Sequence, residues 1–230
     1  MAKIEPVIHF ASLKSVEEST ENPILYWDNN LCGTINLLKV MNLFDCKTIV
    51  FSSSATIYGS NKNQFLIKET NKIKPINPYG KTKEVIEKIL DSLVECKESK
   101  WRIAILRYFN PIGAHSTGFI GENPLNIPTN IMPILNKVAA KKIRNFQIFG
   151  NNWDTKDGTC IRDYIHVMDL AEGHLLALKS ILDDKFNIIK LNLGTGRGTS
   201  VLELLKTFEK VNKIKIPFIY TSKREGDIAH

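Results

Sequence analysis

Thr48-Ile-Val-Phe-Ser-Ser-Ser54, running directly into Ala55-Thr-Ile-Tyr-Gly59, is the stretch from which the fold of this chain can be read. Its apolar opening, Thr48 to Phe51, is too short for a helix and reads as a buried parallel strand. The hydroxyl-rich continuation, Ser52 to Gly59, is the kind of edge where a doubly wound sheet places its ligands. After a polar loop, Asn77-Pro78-Tyr79-Gly80-Lys81-Thr82-Lys83 starts a helix, with Pro78 near its first position.

Three side chains in this stretch combine into chemistry. Tyr79 and Lys83 stand four apart, so a helix puts them on one face. An ammonium close to a phenol favours phenolate, which predicts a Tyr79 pKa below the unperturbed value of ~10. A tyrosine tuned in this way exchanges a proton with a hydroxyl near neutral pH. Ser54, at the strand end, is placed to hydrogen-bond the same hydroxyl. A second Tyr-x-x-x-Lys, Tyr58 to Lys62, fails on context, because Gly59, Ser60 and Asn61 read as a turn.

Bulk properties exclude several classes. At 230 residues the chain can bury a sizeable core, and its composition is that of a water-soluble globular protein. No long apolar run predicts a membrane span, the N-terminus lacks a secretory pattern, and a cytoplasmic location is expected. The net charge of +7 is spread along helices and turns without a basic, aromatic-interleaved tract, so nucleic acid is not an expected partner. Cys32, Cys46, Cys96 and Cys160 show no C-x-x-C spacing and read as small buried hydrophobes in a reducing compartment. No metal-ligand spacing occurs.

The Ser, Tyr-x-x-x-Lys combination resembles the short-chain dehydrogenase/reductase superfamily, whose triad works beside a nicotinamide ring. More narrowly, Ser-Ser-Ser-Ala-Thr-Ile-Tyr-Gly followed by Asn-Pro-Tyr-Gly-Lys-Thr-Lys resembles the UDP-glucose 4-epimerase family. The resemblance implies an NAD cofactor, catalytic roles for Ser54, Tyr79 and Lys83, and reversible inversion of UDP-glucose and UDP-galactose at C4 through a 4-keto intermediate. It also implies an incomplete Rossmann-type α/β fold, a doubly wound parallel sheet without its first three strands. Residues 1–116 would form the C-terminal half of the dinucleotide-binding domain. Residues 117–230 would form mainly a smaller α+β lobe for the UDP-sugar, with some elements returning to the main sheet.

Taken in order, Ile4 to Phe10 reads as a strand, and the resemblance places cofactor contacts at its exit, on Phe10, Ala11, Leu13 and Lys14. Pro23 to Phe44 has apolar residues at helical spacing; in it Asn29 matches a cofactor-contacting Asn. By the same analogy this helix and the one around Val85 to Val94 would pair in a homodimer. Trp101 to Arg107 is another buried strand, leading to Tyr108-Phe109-Asn110-Pro111, where Phe109 would back the nicotinamide and Asn110 would bond the sugar nucleotide. A segment from Asn126 precedes a helix running to about Ala140, and Asn130 with Ile131 at its start would meet the pyrophosphate, since unpaired N–H groups and the macrodipole favour anions. Gln147, Ile148 and Phe149 would border the uracil. Arg162, within the block Asp157 to Asp169, would pair with a phosphate. His166 reads as a packing histidine and Asp169 as the cap of a helix from Leu170 to about Leu182. Gly194-Thr-Gly196 forms a glycine turn before a helix from about Ser200, and the resemblance makes it part of the substrate lobe rather than a phosphate loop. Lys213 to Tyr220 reads as a strand, and Arg224-Glu-Gly-Asp227 matches the element whose Arg and Asp hold the nucleotide.

The resemblance covers Ile4 to Asp227, while the family's glycine-rich phosphate loop has no counterpart here. About seventy residues carrying that loop would precede Ile4 in a complete enzyme. The strand from Val7 to Phe10 would then be an edge, and the chain alone is expected neither to retain NAD nor to turn over substrate. Two rivals are weighed. A nucleotide-sugar dehydratase of the same superfamily needs an Asp-Glu pair after the strand-end hydroxyl, where this chain has Ala55 and Thr56. A truncated, non-catalytic remnant or a UDP-sugar-binding partner is the rival from another class.

Overall fold

The computed structural model describes residues 5–60, 66–125, 128–183, 186–224 and 226–230. Ile4, Asn61, Lys62, Asn126 and Glu225, each part of a stretch read above, lie outside the described residues. In chain order the elements are β1 (Pro6–His9), α1 (Val16–Glu21), α2 (Pro23–Tyr26), a π-helical turn (Trp27–Cys32), α3 (Gly33–Leu43), β2 (Thr48–Ser54), a 3-10 turn (Ala55–Tyr58), α4 (Pro78–Glu95), β3 (Arg102–Tyr108) and β4 (Asn110–Ile112). There follow α5 (Ile131–Ala139), β5 (Phe146–Phe149), β6 (Ile161–His166), α6 (Val167–Leu182), β7 (Ile188–Leu193), β8 (Gly198–Ser200), α7 (Val201–Asn212) and β9 (Phe218–Thr221). The chain divides into two compact units, Met1–Phe109 with Asp169–Leu193, and Asn110–Met168 with Gly194–His230. The division falls at 109/110 rather than at the expected 116/117, and residues 169–193 return to the first unit.

In the first unit β1-β2-β3-β7 form one sheet, every pair parallel. Side chains alternate between the faces of a strand, and here both faces are covered. Ile49, Phe51, Ile103 and Ile105 pack on one face with Leu38 and Met41 of α3 and Ile86 and Leu90 of α4. Val50, Ala104 and Leu106 pack on the other with Ala177 and Ile181 of α6. This two-sided burial is why β2 reads as a continuous apolar run, and each buried Ile, Val, Leu, Met or Phe among these contributes roughly 1.5–3 kcal/mol. β1 lies at one end of the strand order, with Ile8 37% and Phe10 58% exposed, so the expected edge position is found.

The helix predicted from Pro23 to Phe44 is interrupted by its π turn. Tyr26, Asn30, Thr34 and Leu38 are all buried and follow one another at intervals of four. On an α-helix each such step drifts by about 40° around the axis. A wider turn with i→i+5 bonds cancels part of that drift and keeps the four side chains facing inward.

The second unit has two small sheets, β4-β6-β8 and β5-β9. Its core gathers Leu135 and Val138 of α5, Phe146 and Ile148 of β5, Leu205 of α7, and Ile216. Ser200 caps α7, its hydroxyl accepting from the Glu203 N–H at 3.0 Å. The expected strand from Lys213 begins only at Phe218, because Lys213 takes a left-handed conformation (φ 54°) that closes α7.

Three side-chain readings are corrected. Asp169 is inside the first turn of α6, not before it. His166 is exposed rather than packed, and its Nδ1 accepts from the Met168 N–H at 3.2 Å, so the histidine satisfies the helix-start donor assigned to the aspartate. Cys46 and Cys160 are buried as expected, but Cys32 and Cys96 are exposed; all are free thiols.

Candidate active site

Local backbone geometry brings the three singled-out side chains together in the first unit. β2 ends at Ser54, whose hydroxyl caps the 3-10 turn by accepting from the Thr56 N–H at 3.2 Å. α4 starts at Pro78, and Asn77 caps it by accepting from the Gly80 N–H at 2.8 Å. Gly80 lets this helix start approach the strand end: a Cβ there would lie 2.9 Å from Pro75 and 3.1 Å from the Thr56 carbonyl oxygen. Gly59 (φ 65°) turns the chain where a Cβ would lie 2.1 Å from the Lys74 carbonyl oxygen.

Tyr79 and Ser54 are thereby neighbours, each 9% exposed, and Lys83 follows one turn later at 2%. The Lys83 Nζ donates to the Ser52 carbonyl at 2.8 Å and lies 4.9 Å from the Phe51 ring centre and 5.7 Å from that of Tyr79. Burial pulls the Lys83 ammonium down to about 7, opposed by the carboxylate of Glu87. Burial also pushes the Tyr79 phenol above its ordinary value, opposed by a hydrogen bond from Ser54. The expected depression of the Tyr79 pKa by Lys83 is therefore not found. The ammonium is turned to the Ser52 carbonyl and lies 5.7 Å from the tyrosine's ring centre, and desolvation sets the direction of the shift.

The second tyrosine, Tyr58, is structural. Its hydroxyl accepts from Arg107 Nη1 at 2.8 Å and donates to Asn192 Oδ1 at 2.7 Å. Arg107 grips Glu87 in a bidentate pair, Nη2–Oε2 2.7 Å and Nε–Oε1 3.1 Å, and Ser53 donates to the same carboxylate. Sequence reasoning missed Glu87 and Arg107. The spacing 79, 83, 87 continues one helix face, which was a usable signal; Arg107 closing an apolar strand was another.

Of the expected cofactor contacts, Phe10, Ala11, Lys14 and Asn29 are exposed, while Leu13 and Phe109 are half-buried. Asn30, which sequence reasoning passed over, is the buried amide: it accepts from the Leu13 N–H at 2.8 Å and donates to the Leu13 carbonyl at 3.0 Å. This clamp fixes the chain directly after β1. His9 is buried beside it and holds Thr34 at 2.9 Å, with burial and Lys83 pulling its pKa to about 4. No three His, Cys, Asp or Glu side chains form a metal-holding group among the described residues. No helix among them is long and apolar enough to cross a membrane.

In the second unit, Arg162, Arg224 and Asp227 are brought together. Arg162 donates to the carbonyls of Ile161 (2.7 Å) and Ile228 (2.9 Å), and its Nη2 lies 3.7 Å from Asp227. Arg224 donates to the same carboxylate at 3.1 Å and stacks 4.4 Å from the Phe149 ring centre. Asn130 and Ile131 stand at the start of α5, where the Asn130 side chain makes no capping bond and bonds Glu122 instead. Asn110 and Gln147 are exposed, but Ile148 is 1% exposed, so its side chain belongs to the core and leaves only its backbone for a ligand. The Gly194–Gly196 turn is closed from within: the Asp163 carboxylate accepts from Thr195 N–H at 2.9 Å and Gly196 N–H at 2.8 Å. That occupancy agrees with reading it as other than a phosphate loop.

Comparison with known proteins extends these findings. A family model described as the NAD dependent epimerase/dehydratase family matches residues 1–190. UDP-glucose 4-epimerase 2 of Arabidopsis thaliana is 51% identical over 225 residues, 98% of this chain and 64% of that protein. A bifunctional UDP-glucose 4-epimerase and UDP-xylose 4-epimerase 1 of Pisum sativum is 48% identical, again with 98% of this chain and 64% of the relative covered. Among solved structures, a UDP-glucose 4-epimerase of Stenotrophomonas maltophila with bound NAD and formylated UDP-arabinopyranose superposes with TM-score 0.92 at 46% identity, covering 98% of this chain and 66% of that one. One from Bifidobacterium longum in complex with NAD+ and UDP gives 0.91 at 46% identity, covering 99% and 67%. The chain thus spans about 64% of the length of these curated relatives.

Proposed function

The chain belongs to the NAD dependent epimerase/dehydratase family, and on that footing we propose that it carries the catalytic core of an NAD-dependent UDP-glucose 4-epimerase, an isomerase of galactose metabolism. The observation that carries this reading is the meeting of Ser54 and Tyr79 at the C-terminal end of β2, with Lys83 buried one turn away. NAD supplies, when bound, a hydride acceptor and donor for C4 of the sugar.

The residues fit such a group. The Lys83 ammonium has three hydrogens, one of which reaches Ser52, leaving donors for a ribose hydroxyl. Phe10 exposes an apolar face at the end of β1, and Ala11, Leu13, Lys14, Asn29 and Phe109 complete the proposed cofactor contacts. Tyr79 takes the C4 hydroxyl proton and later returns it, while Ser54 holds that hydroxyl in line. The raised Tyr79 pKa suits the acid half of the cycle; the base half requires Lys83 in its ammonium form.

In the second unit Asn110, Asn130, Ile131, Gln147, the Ile148 backbone, Phe149, Arg162, Arg224 and Asp227 hold the UDP portion of UDP-glucose or UDP-galactose. The protein acts in the cytoplasm, and the segment from Pro23 to Phe44 pairs with the part of α4 around Val85 to Val94 in a homodimer. The test is a coupled assay on the protein purified from its source, with NAD added. Conversion of UDP-galactose to UDP-glucose that is lost in Tyr79→Phe supports the reading. UDP binding without any conversion would replace it with a UDP-sugar-binding protein.

A further inference from the structure

Lys83 is not the only buried cation on its side of the sheet. Arg107, from β3, is 2% exposed, and Glu87, one helical turn beyond Lys83, is equally buried. The groups facing Lys83 are Tyr79 and Glu87 from α4 and His9 from β1; Arg107 reaches it through Glu87. His9 is neutral at pH 7, so the local account holds two potential cations and a single carboxylate. Arg107 keeps its charge, since a guanidinium is not deprotonated in proteins. With Lys83 uncharged the trio is balanced; with Lys83 charged it carries one excess positive charge in a desolvated place.

We propose that Glu87 and Arg107 are positioning residues for Lys83: the carboxylate is shared between two buried cations, and the share taken by Arg107 sets how firmly Lys83 holds its proton. The geometry supports unequal sharing. Both carboxylate oxygens are engaged by Arg107, and Oε1 also accepts from Ser53, so Lys83 feels through space a carboxylate whose hydrogen bonds go elsewhere. Lys83 instead rests on the Ser52 carbonyl, one residue before the serine that fixes Glu87. Consecutive residues of β2 thus hold the two ends of the arrangement. Tyr58 and the Glu69 carbonyl take further donors of Arg107, so the guanidinium cannot swing toward solvent without breaking several bonds.

The use of this device rests on the epimerase reading, but its test does not. In the chain labelled with 13C-lysine, the Cε resonance lost in Lys83→Met is followed against pH. Glu87→Gln removes the anion and leaves Arg107 as a bare cation, so Lys83 should hold its proton at least tenfold less tightly. Arg107→Met frees the carboxylate for Lys83, and the affinity should rise at least tenfold. Opposite signs are decisive, because a purely structural pair would, when loosened by either change, admit water and raise the Lys83 midpoint in both. Should either variant fail to fold, Glu87→Met or Arg107→Gln, which likewise removes the charge, is read in its place with the same signs. Shifts in one direction for both variants, or none for either, overturn the proposal. Turnover assays fail or succeed independently of this titration.

Discussion

Arg107 and Glu87 in the first unit are each 2% exposed, whereas Arg162, Arg224 and Asp227 in the second are 21%, 36% and 19% exposed. The first set is closed: every heteroatom of the carboxylate is engaged, and its guanidinium also bonds Tyr58 and the Glu69 carbonyl. The second set is open, with Arg162 3.7 Å from a carboxylate that Arg224 also holds. A closed set tunes its neighbours, because charges out of water act strongly and cannot rearrange. An open set can exchange partners, which is what the phosphate contact proposed for Arg162 requires. Two ion clusters in one chain are therefore built for different tasks.

The largest expected effect attacks the closed set. Arg107→Ala leaves Glu87 buried without its counterion and should destabilise the fold by about 3–5 kcal/mol in denaturant unfolding. A loss below about 1 kcal/mol would show that the pair is no more closed than its counterpart in the second unit. Next comes Arg162→Ala. It should weaken UDP binding by about 1.5–3 kcal/mol in calorimetry, the worth of hydrogen bonds to a charged group, while barely altering unfolding. Stability lost in the same proportion as affinity would erase the distinction between the units.

Acid sharpens the comparison further. His9 stays neutral in the folded chain down to about pH 4, against 6.5 for a free histidine. Its contribution to stability is thus complete above 6.5 and is lost as pH falls toward 4, because the unfolded chain takes up a proton that the folded one refuses. His9→Asn should remove this part of the acid sensitivity in pH-dependent thermal unfolding. The smallest effect belongs to Asp227→Asn, whose partly exposed contacts with Arg162 and Arg224 should cost under about 1 kcal/mol in the same unfolding experiment.

Much of this was legible beforehand. β2 and β3 announced themselves because burial on both faces leaves no polar alternation to confuse the reading. The Ser54, Tyr79 and Lys83 grouping followed from a strand end and one helical interval. What stayed hidden depended on competition between forces that a sequence does not rank. Spacing puts Lys83 beside Tyr79, but only the fold shows that burial, opposed by the Ser54 hydroxyl, raises the phenol's pKa. His166 and Asp169 are both reasonable helix-start residues, and the backbone path decides between them. Cys32 and Cys96 look like core residues by type, yet one lies on the outer side of the π turn and the other just past the end of α4, and both are exposed. Glu87 and Arg107 lie 20 residues apart and meet only because α4 crosses back over β3.

The π turn at Trp27–Cys32 makes residue count itself a structural variable. One residue in an α-helix corresponds to about 100° of rotation. Deleting any single residue there would let the ladder close as ordinary α-helix, but everything upstream would be dialled around relative to Leu38 and Met41. Either those two leave the sheet or Asn30 releases the Leu13 backbone. Insertions and deletions in this segment are therefore far less tolerable than substitutions at its exposed positions.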